Sequence, residues 1–368
     1  MTKLTGEALI AYIMEVLRYT LFSDTTQNNE YTIDITPHSI IFIPVYPLTY
    51  LIDETFYNRL YTILSLALMP DYTLIRPLTM QVVTLPDRPS SERRGLMFPI
   101  IKGQANRLEC SFTQLIQDYH QTGEIPLMDI VSWDYVHSPH AVVTGVSGSG
   151  KSYFLKTLLA ICSVIGDTVV VDPKASDLAR MTRTRPASSA IIPDFSSGAQ
   201  QGINNQFLNR VIAEMKRLEV EMYRRQGLLF SKSQKISTDY RELKLKPTFL
   251  FLDEVGSLTI GASKAMKDDF QRTLTKLILL GRESGVYTIM SMQSARAEYI
   301  PTIVKDSISL RVQLGRLNSE NTRFLFPELT DDMPIVPIGG SGTGIVSIAG
   351  DSRYAGIQPI ATPTINSF

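Results

Sequence analysis

The residues most able to do chemistry form a glycine-rich run in the middle of the chain. Residues 145–152 read Gly-Val-Ser-Gly-Ser-Gly-Lys-Ser, which matches the pattern G-x-x-x-x-G-K-[ST]. A glycine such as Gly148 lets backbone N–H groups turn inward around phosphate oxygens. We expect Lys151 to reach the β- and γ-phosphates of a nucleoside triphosphate and Ser152 to ligate Mg²⁺. A Gly-Ser turn with an incidental lysine is the alternative.

The neighbouring segments supply the elements that a phosphate loop needs. Residues 141–144 form a short apolar run typical of a buried strand, and residues 152–165 predict a helix that ends at Gly166. The N-terminal end of that helix carries the positive end of its dipole and would point at the bound phosphates. The predicted nucleotide contacts are Gly145, Val146, Ser147, Gly148, Ser149, Gly150, Lys151, Ser152 and Tyr153.

Two carboxylates follow another apolar strand about 100 residues later. Residues 249–252 read Phe-Leu-Phe-Leu and lead directly into Asp253 and Glu254. We expect Asp253 to hold Mg²⁺ through water and Glu254 to orient and deprotonate the attacking water. An acidic pair at a strand end is common, so this prediction depends on its combination with the phosphate loop. A glutamate at this place suits hydrolysis by water rather than transfer to a small acceptor.

Two more polar residues flank the apolar run at residues 286–292. Gln293 ends that run, where its amide could hydrogen-bond both the γ-phosphate and the nucleophilic water; the alternative is a polar residue that closes a strand. Arg282 precedes the run and could reach a neighbour's nucleotide as an arginine finger, or it could be a cation that complements a helix dipole. The predicted catalytic residues are Glu254, Lys151, Gln293 and Arg282, and the predicted metal ligands are Ser152 and Asp253.

Strands and helices alternate around these residues. Predicted strands cover residues 141–144, 168–171, 248–252, 286–292 and 309–313, and predicted helices cover residues 152–165, 204–228 and 268–280. Unbroken β-branched runs such as residues 168–171 are typical of a parallel sheet that is buried on both faces. The alternation predicts an α/β fold with a doubly wound, mostly parallel sheet of the RecA-like P-loop type.

The first part of the chain follows a different pattern. Residues 6–22 and 53–68 predict helices, whereas residues 31–43, 72–85 and 95–112 predict strands. Basic residues lie in and just after the polar loop at residues 86–95: Arg88, Arg93, Arg94 and Lys102. They could touch an anionic partner, although a solvated loop is the simpler interpretation. We therefore predict a smaller N-terminal α+β module, residues 1–130, and a P-loop ATPase motor domain, residues 131–368.

Composition limits the classes of function. The 368 residues include 36 basic and 36 acidic side chains, so no global field draws the chain to nucleic acid, although a local basic surface is compatible with that balance. The two cysteines, Cys110 and Cys162, lack the spacing of a zinc site and fit a reducing cytoplasm. No apolar window reaches the ~18–20 residues of a membrane span, and the N-terminus does not resemble a signal peptide.

These motifs, in this order, resemble the FtsK/SpoIIIE family of double-stranded DNA translocases, within the wider class that includes HerA and the conjugative coupling proteins. The resemblance covers roughly residues 130–350. Four segments carry it: a Pro-His entry to the phosphate loop at residues 138–145, Asp172-Pro173-Lys174 after the second strand, residues 214–217 with Arg224 and Arg225, and residues 279–293.

The resemblance implies a homohexameric ring that threads duplex DNA through a central channel, with ATP as fuel and Mg²⁺ as cofactor. It assigns ATP chemistry to Lys151, Ser152, Asp253, Glu254 and Gln293, and a role in trans to Arg282. It places Asp172 and Lys174 beside the phosphate loop, where they would couple nucleotide state to the channel. Residues 256–269, with Lys264 and Lys267, are a candidate DNA-contacting channel loop or else a solvated loop. Relaxase or membrane transfer proteins are further implied partners.

The chain also departs from the family. Met292 stands where the family has threonine before Gln293, and Ser294-Ala295 replace the usual Arg-Pro. We expect neither membrane spans before the motor nor a winged-helix DNA reader after it, since about fifteen residues follow Arg353. A compact cytoplasmic motor that partners recruit to the membrane fits plasmid or mobile-element DNA transfer, by analogy.

Two other functions compete with a DNA motor. A nucleotide-gated switch, or a coupling or packaging ATPase of a transfer complex, would bind ATP without threading DNA, and the zero net charge favours it. A small-molecule kinase would need an acceptor-binding lid that is not evident, and Glu254 argues against it.

Overall fold

The computed structural model describes residues 6–21, 31–46, 52–75, 77, 79–103, 106–195, 200–316, 319–329, 340–354 and 356–366. These residues form two compact units, the first mainly Met1–Asn106 and the second mainly Arg107–Leu329, each with later segments added. The boundary therefore falls at Asn106. Residues 107–130, which the sequence analysis placed in the N-terminal module, lie in the second unit.

The N-terminal unit packs two helices against an antiparallel sheet. Its elements are α1 (Glu7–Leu21), β1 (Tyr31–Ile35), β2 (Ser39–Pro44), α2 (Glu54–Leu68), β3 (Tyr72–Leu74), β4 (Val82–Thr84) and β5 (Arg94–Lys102). The sheet order is β1-β2-β5-β3, with β4 also paired to β5, and these pairings are antiparallel. Leu9, Ile13 and Leu17 lie about one turn apart on α1, so this helix buries one apolar face in the core of the unit.

Ion pairs within the N-terminal unit hold the polar loop at residues 86–95. The Arg88 guanidinium donates to Asp34 at 2.7 Å and to Glu92 at 3.0 Å. These two carboxylates already neutralise Arg88, so the structure favours an internal role for this arginine over contact with an anionic partner.

The second unit carries the phosphate loop and most of the secondary structure. Its first elements are β6 (Glu109–Cys110), α3 (Phe112–Thr122), β7 (Ile125–Pro126), β8 (Ser132–Trp133), β9 (Ala141–Gly145), α4 (Lys151–Ile165), β10 (Asp167–Val171), α5 (Asp177–Thr182), β11 (Ser188–Ile191) and α6 (Gln200–Lys232). The later elements are β12 (Thr248–Leu252), α7 (Val255–Leu258), α8 (Lys264–Ser284), β13 (Val286–Met292), α9 (Thr302–Asp306), β14 (Leu310–Leu314), α10 (Ser319–Leu325), β15 (Thr343–Ile348), β16 (Gln358–Ala361) and β17 (Thr364–Ile365).

Eight of these strands form one large sheet in the order β11-β10-β12-β13-β9-β14-β15-β16. The pairings from β11 through to β14 are parallel, and β15 is antiparallel to β14. This confirms the α/β fold with a large, mostly parallel sheet. The strand order changes direction at β9, with β10 to β13 on one side and β14 on the other. In open α/β sheets, ligands bind beyond the carboxyl ends of the strands at such a switch point.

The central strands are buried along their whole length. Every residue of β9, β12 and β13 is buried, which is typical of parallel strands that helices cover on both faces. The bounds of β13 coincide with the predicted run at residues 286–292, because polar or glycine residues stop the apolar run at both ends.

The helix that precedes β13 is longer than predicted. Residues 268–280 were expected to be helical, whereas α8 begins at Lys264 and ends at Ser284. The Ser263 hydroxyl caps its first turn by accepting a hydrogen bond from the Met266 N–H, and Gly285 ends it with a left-handed φ of 72°. These caps extend the helix at both ends.

Two predictions of irregular or extended structure are wrong. Residues 256–269 are not one loop, since most of α7 and the first turns of α8 occupy them, and Lys264 and Lys267 both lie on α8. Residues 95–112 do not end as a strand, because Ser111 caps α3 and Phe112 begins it. In both places a serine N-cap outweighs the local strand or loop pattern.

Within the described ranges, no helix has both the length and the apolar character that crossing a membrane requires.

Candidate nucleotide site

The predicted phosphate loop joins the end of β9 to the start of α4. Gly148 and Gly150 have φ angles of 81° and 93°, a left-handed backbone that glycine adopts at no steric cost. Gly150 is the N-cap of α4, and no side chain caps the helix there. The first N–H groups of α4 and its positive dipole end therefore face the loop without a side-chain acceptor, an arrangement that fits a phosphate.

Close packing around this loop requires glycine at two positions. A Cβ atom on Gly145 would stand 2.4 Å from the Ser149 hydroxyl, and one on Gly150 would stand 2.6 Å from the backbone of Gly342. Both distances are shorter than any ordinary contact, so glycine is needed at each position. The Ser149 hydroxyl is buried and has no hydrogen-bond partner within the described residues.

A second glycine-rich segment, residues 340–342, packs against the phosphate loop, and we call this segment the brace. The Gly342 N–H donates to the Ser149 carbonyl at 2.8 Å, and the Ser341 hydroxyl donates to the Gly148 carbonyl at 3.3 Å. Two carbonyls of the loop are thus bonded to the brace rather than to a ligand. The Ser149 N–H donates to the Val146 carbonyl at 3.1 Å, so the other N–H groups of the loop are the ones available to an anion.

Arg107 holds the brace in place. Its guanidinium donates to the Ser341 carbonyl at 2.6 Å and to the Thr362 carbonyl at 2.9 Å, and the Thr362 N–H donates to the Gly342 carbonyl at 2.8 Å. These residues are not predictable from the sequence, because more than 230 positions separate Arg107 from its two partners and no local pattern marks the contact.

Tyr153, a predicted nucleotide contact, binds the chain itself through its hydroxyl. This hydroxyl donates to the Ile365 carbonyl and accepts from the Ile365 N–H, both at 2.8 Å. The bond joins α4 to β17, and the contribution of Tyr153 to nucleotide binding stays a prediction.

Lys151, Lys174 and Gln293 meet at Glu254. Its Oε2 accepts from the Lys151 ammonium at 3.2 Å and the Lys174 ammonium at 3.4 Å, and its Oε1 accepts from the Gln293 N–H at 3.1 Å. These four residues follow three different strands and the phosphate loop. They converge because β9, β10, β12 and β13 are parallel and end at the same edge of the sheet.

The backbone of Glu254 is unusual. Its φ of 48° and ψ of 56° are left-handed, a conformation that costs a non-glycine residue about 1 kcal/mol or more. Its N–H is bonded to the Ser291 hydroxyl at 3.2 Å, which helps to hold this conformation. Such residues concentrate at functional sites.

The charge on Glu254 is stabilised by its surroundings. Burial acts to raise the pKa of this carboxyl, but the Lys151 ammonium, the Gln293 N–H and the Lys174 ammonium together hold its pKa below the usual value. The carboxylate is therefore ionised at neutral pH, as a general base must be.

Asp253 lies in a different electrostatic environment. Burial raises the pKa of this carboxyl, and the nearby Asp172 and Glu254 carboxylates act in the same direction, while the Ser291 hydroxyl and Lys151 oppose them. The Ser291 hydroxyl donates to Asp253 Oδ1. A bound Mg²⁺ would offset the cost of ionising this buried group.

The predicted metal ligands could hold Mg²⁺ only together with water and phosphate oxygens. Across the residues that the structure describes, no group of three or more His, Cys, Asp or Glu side chains could enclose a metal ion. Mg²⁺ is usually held by one or two carboxylates plus substrate phosphates, so Asp253 with the Ser152 hydroxyl fits this pattern.

Two predicted catalytic residues contribute differently from the others. The Gln293 side chain is exposed, and this residue contacts Glu254 through its backbone N–H. Arg282 lies in the last turn of α8, before β13 begins, and its Nε donates to the Val136 carbonyl at 3.2 Å. The seven residues of β13 separate the two edges of the sheet by roughly 20 Å, so Arg282 does not meet the phosphate loop of its own chain.

No family model matches the chain. It is 27% identical over 210 residues to the Ftsk domain-containing protein YdcQ of Bacillus subtilis, which covers 57% of this chain and 41% of that protein. It is 24% identical over 247 residues to the DNA translocase FtsK of Chlamydia pneumoniae, which covers 59% of this chain and 29% of that protein.

One solved structure is similar over almost the full chain. It is the pCW3 conjugation coupling protein TcpA in its monomer form with ATPγS, with a TM-score of 0.54 and 16% identity over 96% of this chain and 94% of that one. This likeness concerns the fold alone. The relatives confirm the resemblance to FtsK/SpoIIIE-type proteins, while the chain spans less than half of the length of either curated relative.

Proposed function

We propose that the chain is an ATP-hydrolysing motor that moves double-stranded DNA as a homohexameric ring, in plasmid or mobile-element DNA transfer. The contact that carries this proposal joins Glu254 to Lys151, a carboxylate able to activate water and the lysine of the phosphate loop. The relatives named DNA translocase FtsK support DNA as the moved substrate. The motor belongs to the second unit, which holds the whole candidate site.

Each residue has a defined task in hydrolysis. Glu254 accepts a proton from water while the water oxygen bonds to the γ-phosphorus and the bond from that phosphorus to the β,γ-bridging oxygen breaks. Lys151 and the loop N–H groups stabilise the negative charge of the phosphate oxygens. Mg²⁺, held by Ser152 and Asp253, would add positive charge at these oxygens. The products are ADP and phosphate, and the proton on Glu254 returns to solvent.

The position of Arg282 supports a ring. This arginine lies at the sheet edge opposite its own phosphate loop, so it can act on a nucleotide only when it is offered to another copy. A head-to-tail contact between copies brings these two different edges together, and such contacts close into rings when the rotation allows. Arg282 of one copy then stabilises the charge that develops on the neighbour's γ-phosphate.

The rate of ATP hydrolysis, measured with and without linear duplex DNA, tests this function. We expect DNA to raise the rate at least several-fold, and Lys151→Ala and Glu254→Gln to abolish turnover in both conditions. A wild-type rate of ATP hydrolysis that does not change when DNA is added would contradict the proposed motor function.

A nucleotide-gated switch or a coupling ATPase that does not thread DNA is the second candidate. The zero net charge of the chain favours it, because a channel for DNA is usually basic. It predicts slow ATP turnover that DNA does not change and weak affinity for duplex DNA at physiological salt.

A further inference from the structure

The brace fixes two peptide units of the phosphate loop. The Gly342 N–H bonds the Ser149 carbonyl at 2.8 Å, and the Ser341 hydroxyl bonds the Gly148 carbonyl at 3.3 Å. In a trans peptide the carbonyl and the N–H point in opposite directions, so a carbonyl that faces the brace turns the N–H of its own peptide unit away from it. The brace therefore sets the direction of the Gly150 N–H, which shares a peptide unit with the Ser149 carbonyl.

Two glycines make this part of the loop easy to rearrange. Gly148 and Gly150 flank Ser149 with left-handed φ angles of 81° and 93°, and glycine adopts other backbone conformations about as readily. A rotated peptide unit between Ser149 and Gly150 would present a carbonyl oxygen, rather than an N–H, on the side that faces away from the brace. An oxygen at that place would repel a phosphate. The loop sequence thus permits an unproductive conformation that the brace opposes.

Arg107 closes a ring of hydrogen bonds around the brace. Its Nη2 donates to the Ser341 carbonyl at 2.6 Å, and its Nη1 donates to the Thr362 carbonyl at 2.9 Å. The Thr362 N–H in turn donates to the Gly342 carbonyl at 2.8 Å. The packing is tight, because a Cβ atom on Gly342 would stand 2.5 Å from the Thr362 hydroxyl and 3.1 Å from Arg107 Nη1. The guanidinium therefore holds the brace at the distance from which it bonds the loop.

We infer that Arg107 is a positioning residue for nucleotide binding, which keeps the phosphate loop in its anion-binding conformation by fixing the brace. The inference rests on the proposed ATP-hydrolysing function. A loop that is already ordered loses less conformational freedom when a ligand binds, so Arg107 should raise the affinity for nucleotide. Once a nucleotide is bound, its phosphates hold the loop N–H groups themselves. The chemical step should then depend little on Arg107.

The first experiment compares wild type with Arg107→Ala and Arg107→Lys. Calorimetric titration with ATPγS and Mg²⁺ measures Kd, and steady-state ATP hydrolysis measures kcat and KM. We expect Arg107→Ala to raise Kd about tenfold, because binding must then order at least one more residue. KM should rise with Kd, while kcat at saturating ATP should change less than twofold. Arg107→Lys should restore most of the affinity, since an ammonium can donate to both carbonyls.

Arg311→Ala is the matched control. Arg311 also donates to two backbone carbonyls, those of Ile308 at 3.2 Å and Leu325 at 3.0 Å, but it does not bond the brace. The same loss of hydrogen bonds should therefore leave Kd as in wild type. Equal increases of Kd in Arg311→Ala and Arg107→Ala would overturn the inference, because the effect would then reflect a general loss of stability. A fall in kcat at constant KM in Arg107→Ala would also overturn it.

Ser341→Ala tests the brace with a change on an exposed residue, which does not depend on the folding of Arg107→Ala. It removes the hydroxyl bond to the Gly148 carbonyl and should raise Kd about threefold. Combined with Arg107→Ala, it should raise Kd by less than the product of the two separate factors, since both changes act through the brace. Unchanged affinity in Ser341→Ala, or two factors that multiply, would contradict the coupling.

The titration with ATPγS separates this inference from the proposed function, because it needs no turnover. Equal Kd in wild type and Arg107→Ala contradicts the role of Arg107 even if the chain hydrolyses ATP and moves DNA. A wild type that binds ATPγS with an affinity dependent on Arg107, but neither hydrolyses ATP nor moves DNA, contradicts only the proposed function. A wild type that does not bind ATPγS contradicts both.

Discussion

The Lys151 ammonium lies 3.2 Å from Glu254 Oε2, so the lysine of the phosphate loop is paired with the general base proposed for hydrolysis. Both side chains are nearly buried, at 10% and 12% exposure. If the chain hydrolyses ATP as proposed, we expect nucleotide binding to exchange this ion pair for one between Lys151 and phosphate. The exchange would free the Glu254 carboxylate to act on water.

Neutralising the base should separate binding from hydrolysis. Glu254→Gln keeps an acceptor for the Gln293 N–H and frees Lys151 for phosphate, so we expect nucleotide affinity equal to or higher than that of wild type. The rate of hydrolysis should fall by about 10²- to 10⁴-fold, the usual contribution of a general base. Fluorescent ATP analogue titration and phosphate release measure the two effects, with Lys151→Ala as the control that loses affinity. A Glu254→Gln variant that turns over normally contradicts the assignment of the base.

Two glycines of the phosphate loop offer a matched pair for stability. Both have left-handed backbones, but a Cβ on Gly148 would meet no atom within 4 Å, whereas one on Gly150 would stand 2.6 Å from Gly342. Gly150→Ala should therefore lower the free energy of unfolding by about 1–3 kcal/mol more than Gly148→Ala, because overpacking adds to the shared backbone strain. Urea unfolding without nucleotide measures the difference. Equal losses would show that the brace does not pack on Gly150.

His140 should make stability depend on pH. The residue is fully buried, its Nδ1 accepts from the Thr288 N–H at 3.1 Å, and burial lowers its pKa to about 4. The folded pKa lies below the unfolded value of ~6.5, so the neutral form stabilises the protein fully above that pH. This stabilisation is lost as the pH falls from about 6.5 to about 4.

Urea unfolding at a series of pH values measures this effect. Between pH 7 and pH 4.5, His140→Gln should lose less stability than wild type, while the exposed His38→Gln should match wild type. Parallel pH curves for wild type and His140→Gln would show that the buried imidazole contributes nothing.

Arg282 should act across a subunit boundary. Arg282→Ala keeps its own phosphate loop, and Lys151→Ala keeps its arginine, so each variant alone should be inactive. A mixture should recover part of the wild-type ATPase rate, because an intact phosphate loop then receives an intact arginine from the neighbour. The control is a mixture of Lys151→Ala with Glu254→Gln. Both changes disable the nucleotide site of the copy that carries them, so neither variant supplies an intact site and no recovery is expected. If the mixture of Arg282→Ala and Lys151→Ala recovers no ATPase activity, Arg282 does not act on a neighbour's nucleotide and serves only in the last turn of α8.

Part of this architecture was predictable because local patterns determine it. The strand at residues 286–292 has the predicted bounds, and the predicted helix at residues 152–165 starts one residue earlier, at Lys151. Unbroken apolar runs and flanking glycines are sufficient signals for these buried elements. The short α5 and β11 were missed, because a six-residue helix and a half-buried strand have too few apolar positions to show a period.

The site was predictable only in its types of residue. The glycine-rich loop and the strand-end carboxylates identify a triphosphate site, but the meeting of Glu254 with Lys174 depends on the strand order, which no local pattern contains. The brace formed by Arg107, Ser341 and Gly342 was missed for the same reason. The loop prediction for residues 256–269 is wrong because Ser263 caps a helix that begins within them.

Displacement of a third strand from linear duplex DNA reports directly on movement along the DNA. A labelled oligonucleotide bound as a triplex at one end of the duplex is released only by a motor that moves along the DNA. We expect release that requires ATP and Mg²⁺ and is lost in Glu254→Gln, although this variant still binds nucleotide. ATP hydrolysis by wild type that leaves the triplex intact would contradict the proposed DNA motor.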